Sequence, residues 1–394
     1  MTTNEPSTQP HTRPHDPHSV GIVKTQTAFF DETLVLSSGS ELKYFTLAYE
    51  TYGKLNLERT NAILICHALS GNAHVAGYHT EDANEKPGWW DDAVGPGKMF
   101  DTDRFFVICS NVLGGCSGST GPASPHPDDG KPYGLRFPVV TIQDMVKAQT
   151  RLVDRLGVKR LFAVAGASMG GMQAVEWAVS YPERMGSTLF IASTPIASAQ
   201  QISFNEIGRQ AIYADPRWQG GSYYDSEPPS GGLSIARMIG HITYMSEHSL
   251  DQKFGRRLQD REQLGYNFQT DFAVESYLSY QGNKFVDRFD ANSYLYVTKA
   301  LDYYDISEQY VSLEAAAERV QAPFLVVSFS SDWLYPKHHH DDWAAALRGA
   351  GKQVEQHHIV ASFGHDSFLV EVETMTRVVG GFIDRRWEQM NAKK

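Results

Sequence analysis

The sequence predicts an α/β protein with a mostly parallel central sheet, helices on both of its faces and an inserted helical segment. Three observations carry that reading. Runs such as Ala62-Ile63-Leu64-Ile65-Cys66 are apolar at consecutive positions, as strands buried on both faces are. Strand-like and helix-like patterns alternate before residue 196 and again after residue 315. Between them lie about 120 residues with helical periodicity alone, far more than a crossover connection needs.

Taken in order, residues 1–18 are rich in Thr, Pro and His and hold little to bury, so a flexible tail is expected. The first part of the core, 19–195, should contain strands over 33–36, 42–51, 62–68 and 104–110. A helix over 142–156, a strand over 161–165, a helix over 169–180 and a strand over 187–192 follow. In the insertion, Phe204, Ile207, Gly208, Ala211 and Ile212 recur at the spacing of one helix face, and so do Leu250, Phe254 and Leu258. Further helical patterns over 235–245 and 294–304 complete a helical lid expected over 196–315. The second part of the core, 316–394, should supply a strand over 324–329, a helix over 342–347, a strand over 354–360 and a closing helix over 367–387.

Composition excludes several classes of function. With 35 Lys and Arg against 46 Asp and Glu, the net charge of −11 disfavours nucleic acid and anionic membrane as partners. No apolar run approaches the roughly 18 residues of a membrane span, and no export signal opens the chain. Cys66, Cys109 and Cys116 are odd in number and lack metal-ligand spacing, which fits a reducing cytoplasm and no metal site.

The chemistry centres on Gly166-Ala167-Ser168-Met169-Gly170, a G-x-S-x-G between an apolar strand and a helix. That is the setting of a nucleophile elbow, and it narrows the fold class to the α/β-hydrolase type. A serine hydroxyl needs a base, and in this fold the acid and then the histidine follow the serine. His365, in Phe363-Gly364-His365-Asp366, is the candidate base, because it sits just past a strand end, where catalytic groups collect in open α/β sheets. Asp332, similarly placed after residues 324–329, is the candidate acid that orients it; Asp341 lies within the next helix pattern. His338 to His340, His357 and His358 are expected to be structural or solvated, and His67 a hydrogen-bonded structural residue. The backbone N–H groups of Met169 and Leu69 are the candidate oxyanion donors. The Gly-rich stretch 114–121 lacks the lysine and the strand-to-helix frame of a phosphate-binding loop and is expected to be irregular.

Beyond these residues the chain, from about residue 20 onward, resembles the homoserine O-acyltransferase family. The motifs that carry the resemblance include Ile65-Cys66-His67-Ala68-Leu69-Ser70-Gly71, Pro87-Gly88-Trp89-Trp90 and Asn111-Val112-Leu113-Gly114-Gly115-Cys116. Others are Gly121-Pro122-Ala123-Ser124, Ser168-Met169-Gly170-Gly171-Met172-Gln173, Phe204-Asn205-Glu206 with Arg209-Gln210-Ala211-Ile212, and Gly364-His365-Asp366. The resemblance implies a ping-pong transfer from acetyl-CoA, a co-substrate rather than a bound cofactor, through Ser168 to the γ-hydroxyl of L-homoserine, in methionine biosynthesis. It also implies that Arg209 binds the acceptor's carboxylate, that Asp366 binds its ammonium group, and that the lid forms a homodimer. On periodicity alone, Arg209 points away from the apolar side of its helix and is free either to line the cleft or to meet solvent. In succinyl-using relatives the residue two places after the catalytic aspartate is typically Arg; here it is Leu334, which implies acetyl as the acyl group. The competing expectations are succinyl transfer to homoserine or serine and, from another class, an esterase or thioesterase with water as acceptor.

Overall fold

A computed structural model describes residues 15–82 and 84–392. Among them eight strands form the central sheet: β1 (Gln26–Phe30), β2 (Phe45–Tyr52), β3 (Ala62–Cys66), β4 (Phe106–Ser110), β5 (Ala163–Ala167), β6 (Thr188–Ile191), β7 (Phe324–Phe329) and β8 (Val354–Ile359). Their spatial order is β1-β2-β4-β3-β5-β6-β7-β8. β2 is antiparallel to β1 and β4, and every other neighbouring pair is parallel, with Leu64 level with Val164 and Phe190 level with Val326. This pairing explains the consecutive apolar positions. Leu64 and Cys66 pack into the cluster that holds Trp177 and Trp343, whereas Ile63 and Ile65 pack into the one that holds Trp90 and Phe382.

Helices α1 (Ile142–Arg155) and α2 (Met169–Ser180) belong to the first part of the chain. Thr141 caps α1 through a reciprocal pair of bonds with Asp144, satisfying two of the N–H groups a helix start leaves open. Between β6 and β7 run α3 (Ala199–Ala214), α4 (Ser230–Tyr244), α5 (Glu247–Lys253), α6 (Ala273–Val286), α7 (Ala291–Asp302), α8 (Ile306–Tyr310) and α9 (Leu313–Arg319). Ile212, Leu233, Phe285, Tyr294 and Leu295 give these helices a small apolar core of their own. After β7 come α10 (Lys337–Gly349), α11 (Ser367–Val370), α12 (Val372–Met375) and α13 (Gly381–Asn391). Among the described residues no helix is long and apolar enough to cross a membrane.

Several boundaries differ from the sequence-based expectations. The strand expected over 33–36 shrinks to Leu34–Val35, which pairs with Glu41–Leu42 in a hairpin outside the sheet. β1, which the sequence reading lacked, takes the sheet edge instead, where one-sided burial leaves no apolar run to notice. The helix marked by Leu250, Phe254 and Leu258 stops at Lys253, because Gly255 at φ +52° turns the chain. On α3 the expected apolar side divides: Gly208, Arg209 and Ile212 are buried, while Ile207 is 53% exposed. The closing helix is broken at Glu371 and carries a π turn over Thr376–Gly380. Of the tail expected over 1–18, residues 1–14 lie outside the described residues; 15–18 form turns, with His18 Nδ1 3.1 Å from the Pro96 carbonyl oxygen.

Candidate active site

Ser168 stands between β5 and α2 with φ 58° and ψ −126°, a left-handed conformation that costs an ordinary residue about 1–3 kcal/mol. The turn survives because its flanks are glycines. A Cβ on Gly166 would meet the Gly170 carbonyl oxygen at 1.9 Å, and one on Gly170 would meet the Cys66 carbonyl oxygen at 2.0 Å. The Ser168 N–H donates to the carbonyl oxygens of Ile191 and Ala192 at 3.1 Å, and its carbonyl oxygen accepts from Ser193 Oγ at 2.6 Å. The strain is thus held by neighbouring strand ends.

Asp332 follows β7 and His365 follows β8, and their side chains meet: His365 Nδ1 is 2.8 Å from Asp332 Oδ2. Asp332 Oδ1 accepts from the backbone N–H groups of Leu334 and Tyr335 at 3.0 and 2.9 Å, so the carboxylate is fixed in place. Burial opposes a charged imidazolium at His365, but the facing Asp332 carboxylate outweighs it and raises the pKa above the ordinary value of 6.5. Tyr335, Tyr244 and Phe368 enclose the ring at centroid distances of 5.0, 6.0 and 5.6 Å. The Tyr335 phenol also interacts with Ser168.

Ser168, Leu69, Tyr244, Tyr294, Leu334 and Tyr335 line a shared cavity of about 50 Å³. Neither the Leu69 nor the Met169 N–H donates to another group among the described residues. Leu334 presents its side chain here while its carbonyl oxygen is tied to Gln201 Nε2 at 2.8 Å. A larger surface hollow of about 480 Å³ lies along β8, lined by Glu355, His357 and Arg377, and shares no lining residue with the cavity at Ser168.

Arg209 is placed differently from the expectation of a cleft-lining or solvated residue. It is 3% exposed, with Nη2 2.6 Å from Asp302 Oδ2 and with Nε and Nη2 bonded to Glu206 Oε2 at 3.0 and 2.8 Å. Only Nη1 remains without a partner. Its buried position follows from the packing of α3 on α7, which carries Asp302. The arginine nearer the chemistry is Arg237 on α4, which the sequence reading did not single out. Its guanidinium lies 5.5 Å from the Tyr244 ring, and Nη1 is 3.3 Å from Ser70 Oγ, one residue beyond Leu69. Asp366 is within its electrostatic reach; burial pushes that carboxyl above the usual range, with His365 and Arg237 pulling the other way. The sequence did hold a signal: Arg237, His241 and Tyr244 stand at i, i+4 and i+7, one face of the helix, and Arg237 is its only charged residue apart from the titratable His241.

Other polar groups have structural partners. His67 Nε2 accepts from the Val112 N–H at 3.1 Å, and burial lowers its pKa to about 4. His340 Nε2 accepts from the Ser193 N–H at 3.0 Å, while Asp341 is bound by Lys337. Glu50, His74 and His79 lie close enough together to hold a metal ion. They bond to one another: Glu50 is 3.0 Å from His74 Nδ1 and 2.9 Å from His79 Nε2, and it accepts from Tyr52 and Thr25, while His74 Nε2 is buried without a partner among the described residues. Burial works against that carboxylate, but the four partners bring its pKa down to about 2. These contacts tie the loop after β3 to β2.

Comparison with known proteins agrees with this architecture. A family model described as alpha/beta hydrolase fold matches residues 61–372. The homoserine O-acetyltransferase of Methanococcus vannielii is 54% identical over 368 residues, covering 93% of this chain and 74% of that one. The crystal structure of homoserine O-acetyltransferase from Bacillus anthracis superposes with a TM-score of 0.86 at 32% identity, covering 92% of this chain and 98% of the other. Esterase E22 follows with a TM-score of 0.84 at 28% identity, covering 92% of this chain and 100% of its own.

Proposed function

The chain belongs to the homoserine O-acetyltransferase family, within the α/β-hydrolase fold, and from that membership we propose how it carries an acetyl group to homoserine. The donor is acetyl-CoA and the route is ping-pong. His365 Nε2 removes the Ser168 Oγ proton, Oγ attacks the thioester carbonyl carbon, and the oxygen that gains charge is received by the Leu69 and Met169 N–H groups. The C–S bond then breaks and the thiol leaves with the proton from His365. In the second half homoserine's γ-hydroxyl gives its proton to His365 and attacks the acyl carbon. Ser168 Oγ departs and takes that proton back. Asp332 holds the imidazole tautomer and stabilises the imidazolium in both halves.

One observation favours an amino-acid acceptor over water: a carboxyl, Asp366, adjoins the base, and a cation, Arg237, lies within its electrostatic reach and over Tyr244, which packs on the base. A zwitterion with its carboxylate on Arg237 and its ammonium on Asp366 would bring a side-chain hydroxyl toward His365. We assign the carboxylate to Arg237 in place of Arg209, whose guanidinium is committed to Asp302 and Glu206. Leu334 gives the acyl pocket an apolar wall, and the small cavity suits acetyl, since a succinyl carboxylate would lie there unpaired. The similarity to esterase E22 supports a second reading, in which water is the acceptor.

The helices between β6 and β7 act as a lid that limits water at the acyl-enzyme. Ile202 and Ile207 of α3 and Ile235 and Ile242 of α4 are each at least 37% exposed, which supports a homodimer through this lid. Both substrates are cytoplasmic metabolites, so a cytoplasmic location and a role in methionine biosynthesis go with this reading. The test is a panel of acetyl-CoA and succinyl-CoA against homoserine and serine, with products identified by mass. O-acetylhomoserine should dominate; a preference for succinyl-CoA, or for serine, would overturn the corresponding assignment.

A further inference from the structure

Around the outer part of α4, cations gather that the acceptor site does not use. Arg288, just beyond α6, donates from Nη1 to the Ser70 carbonyl oxygen at 2.9 Å. Its guanidinium lies 5.1 Å from the Phe285 ring, and that of Arg237 lies 4.8 Å from the same ring. Two like charges therefore share one aromatic ring and one serine. Lys253, at the end of α5, stands with Nζ 4.4 Å from the Tyr277 ring. Neither Arg288 nor Lys253 is in an ion pair among the described residues, in a chain whose net charge is −11.

His241 lies between these groups. It is 8% exposed, its Nδ1 is 3.3 Å from the Tyr277 hydroxyl, and its Nε2 is buried without any partner. Burial first, then the charges of Arg237, Lys253 and Arg288, lower its pKa to about 3, so the ring is neutral among the three cations. A buried ring nitrogen without a partner costs free energy until one arrives, and the exposed cations beside it have no protein counter-charge among the described residues.

Resting on the reaction proposed above, we propose that Arg288 and Lys253, with His241 between them, bind the phosphate groups of the CoA thioester donor. Location separates this site from the acceptor's. Arg237 is half-buried and within electrostatic reach of Asp366 beside the base, whereas Arg288 is exposed. Arg237 and Tyr244 are seven residues apart on α4, about 10 Å along the axis. Phosphates held at the outer end would leave the pantetheine arm to run along α4 toward Ser168. The mutual repulsion of Arg237 and Arg288, which with burial lowers the Arg288 pKa, is relieved when a polyanion binds. A cationic rim on an acidic protein also gathers the donor from solution.

The experiment compares acetyl-CoA with S-acetyl-pantetheine, which carries the same acyl thioester without phosphate, in the wild type, Arg288→Met, Lys253→Met and the double variant. For acetyl-CoA, kcat/KM should fall on the order of tenfold per charge removed, through KM, the scale of a charge-assisted hydrogen bond. The phosphate-free donor should lose less than twofold. Arg288→Lys should recover most of the loss, and adenosine 3′,5′-bisphosphate should inhibit the wild type competitively with acetyl-CoA and the double variant far more weakly. Equal losses with both donors would overturn the proposal, as would a rise in homoserine KM with donor KM unmoved, which would assign Arg288 to the acceptor. Failure of the wild type to make O-acetylhomoserine at all would instead overturn the reaction on which the proposal rests.

Discussion

Single residues divide by whether their role is set by local sequence or by packing. The sequence singles out Ser168, Asp332 and His365 through local features, the elbow and the loops after two strands, and the structure brings the side chains of the last two within 2.8 Å. The burial of Arg209 could not be read from the sequence, because which side of α3 is buried depends on α7 and its Asp302, and Arg237 on α4 was not singled out. Ser168→Ala should abolish acyl transfer, measured as thiol release. Arg209→Ala breaks a buried ion pair and should cost about 3–5 kcal/mol in denaturant unfolding with little change in homoserine KM. Arg237→Ala should do the reverse, raising homoserine KM at least about tenfold, the scale of a lost charge-assisted bond. A large KM effect at Arg209 with unchanged stability would reverse the two assignments.

The pH dependence also belongs to this scale. His365 must be unprotonated to act as base, and its pKa is raised by Asp332, so activity should fall as pH drops through a value above 6.5. In Asp332→Asn the raising influence is gone while burial still disfavours the imidazolium. The acid limb of kcat/KM for acetyl-CoA should then move to lower pH, with a much reduced maximum. An unmoved limb would assign that ionisation to another group.

Among elements, those buried on both faces were the most legible. β3, β4, β6 and β7 fall where their apolar runs lie, while β1 does not, because its one-sided burial leaves no apolar run. α6 was missed because, of its fourteen residues, only Gly282 and Phe285 are buried. Gly282 marks its closest approach to α4: a Cβ there would meet the Ser234 carbonyl oxygen at 2.8 Å. Gly282→Val should therefore push α6 off α4 and cost about 1–3 kcal/mol, read from the denaturant midpoint. Because α6 carries Tyr277 and Phe285, donor KM should rise as well. No change in either would mean that the lid tolerates looser packing than this crossing implies.

At the scale of the whole molecule, the surface of the helices between β6 and β7 is where the proposed dimer can be tested. The exposed isoleucines of α3 and α4 lie outside the core clusters, and Ile235→Glu with Ile242→Glu should give a monomer in analytical ultracentrifugation. A dimer that survives both changes would move the interface elsewhere. The division between transfer and hydrolysis is also decided at this scale, by whether the closed site admits water as readily as homoserine. The direct measurement is thiol release from acetyl-CoA, with and without homoserine, alongside the intact mass of the protein. Without homoserine one equivalent of thiol should be released in a burst and one acetyl mass gained on Ser168, with steady turnover only when homoserine is added; steady release at the same rate without homoserine would contradict an acyl-serine transferase.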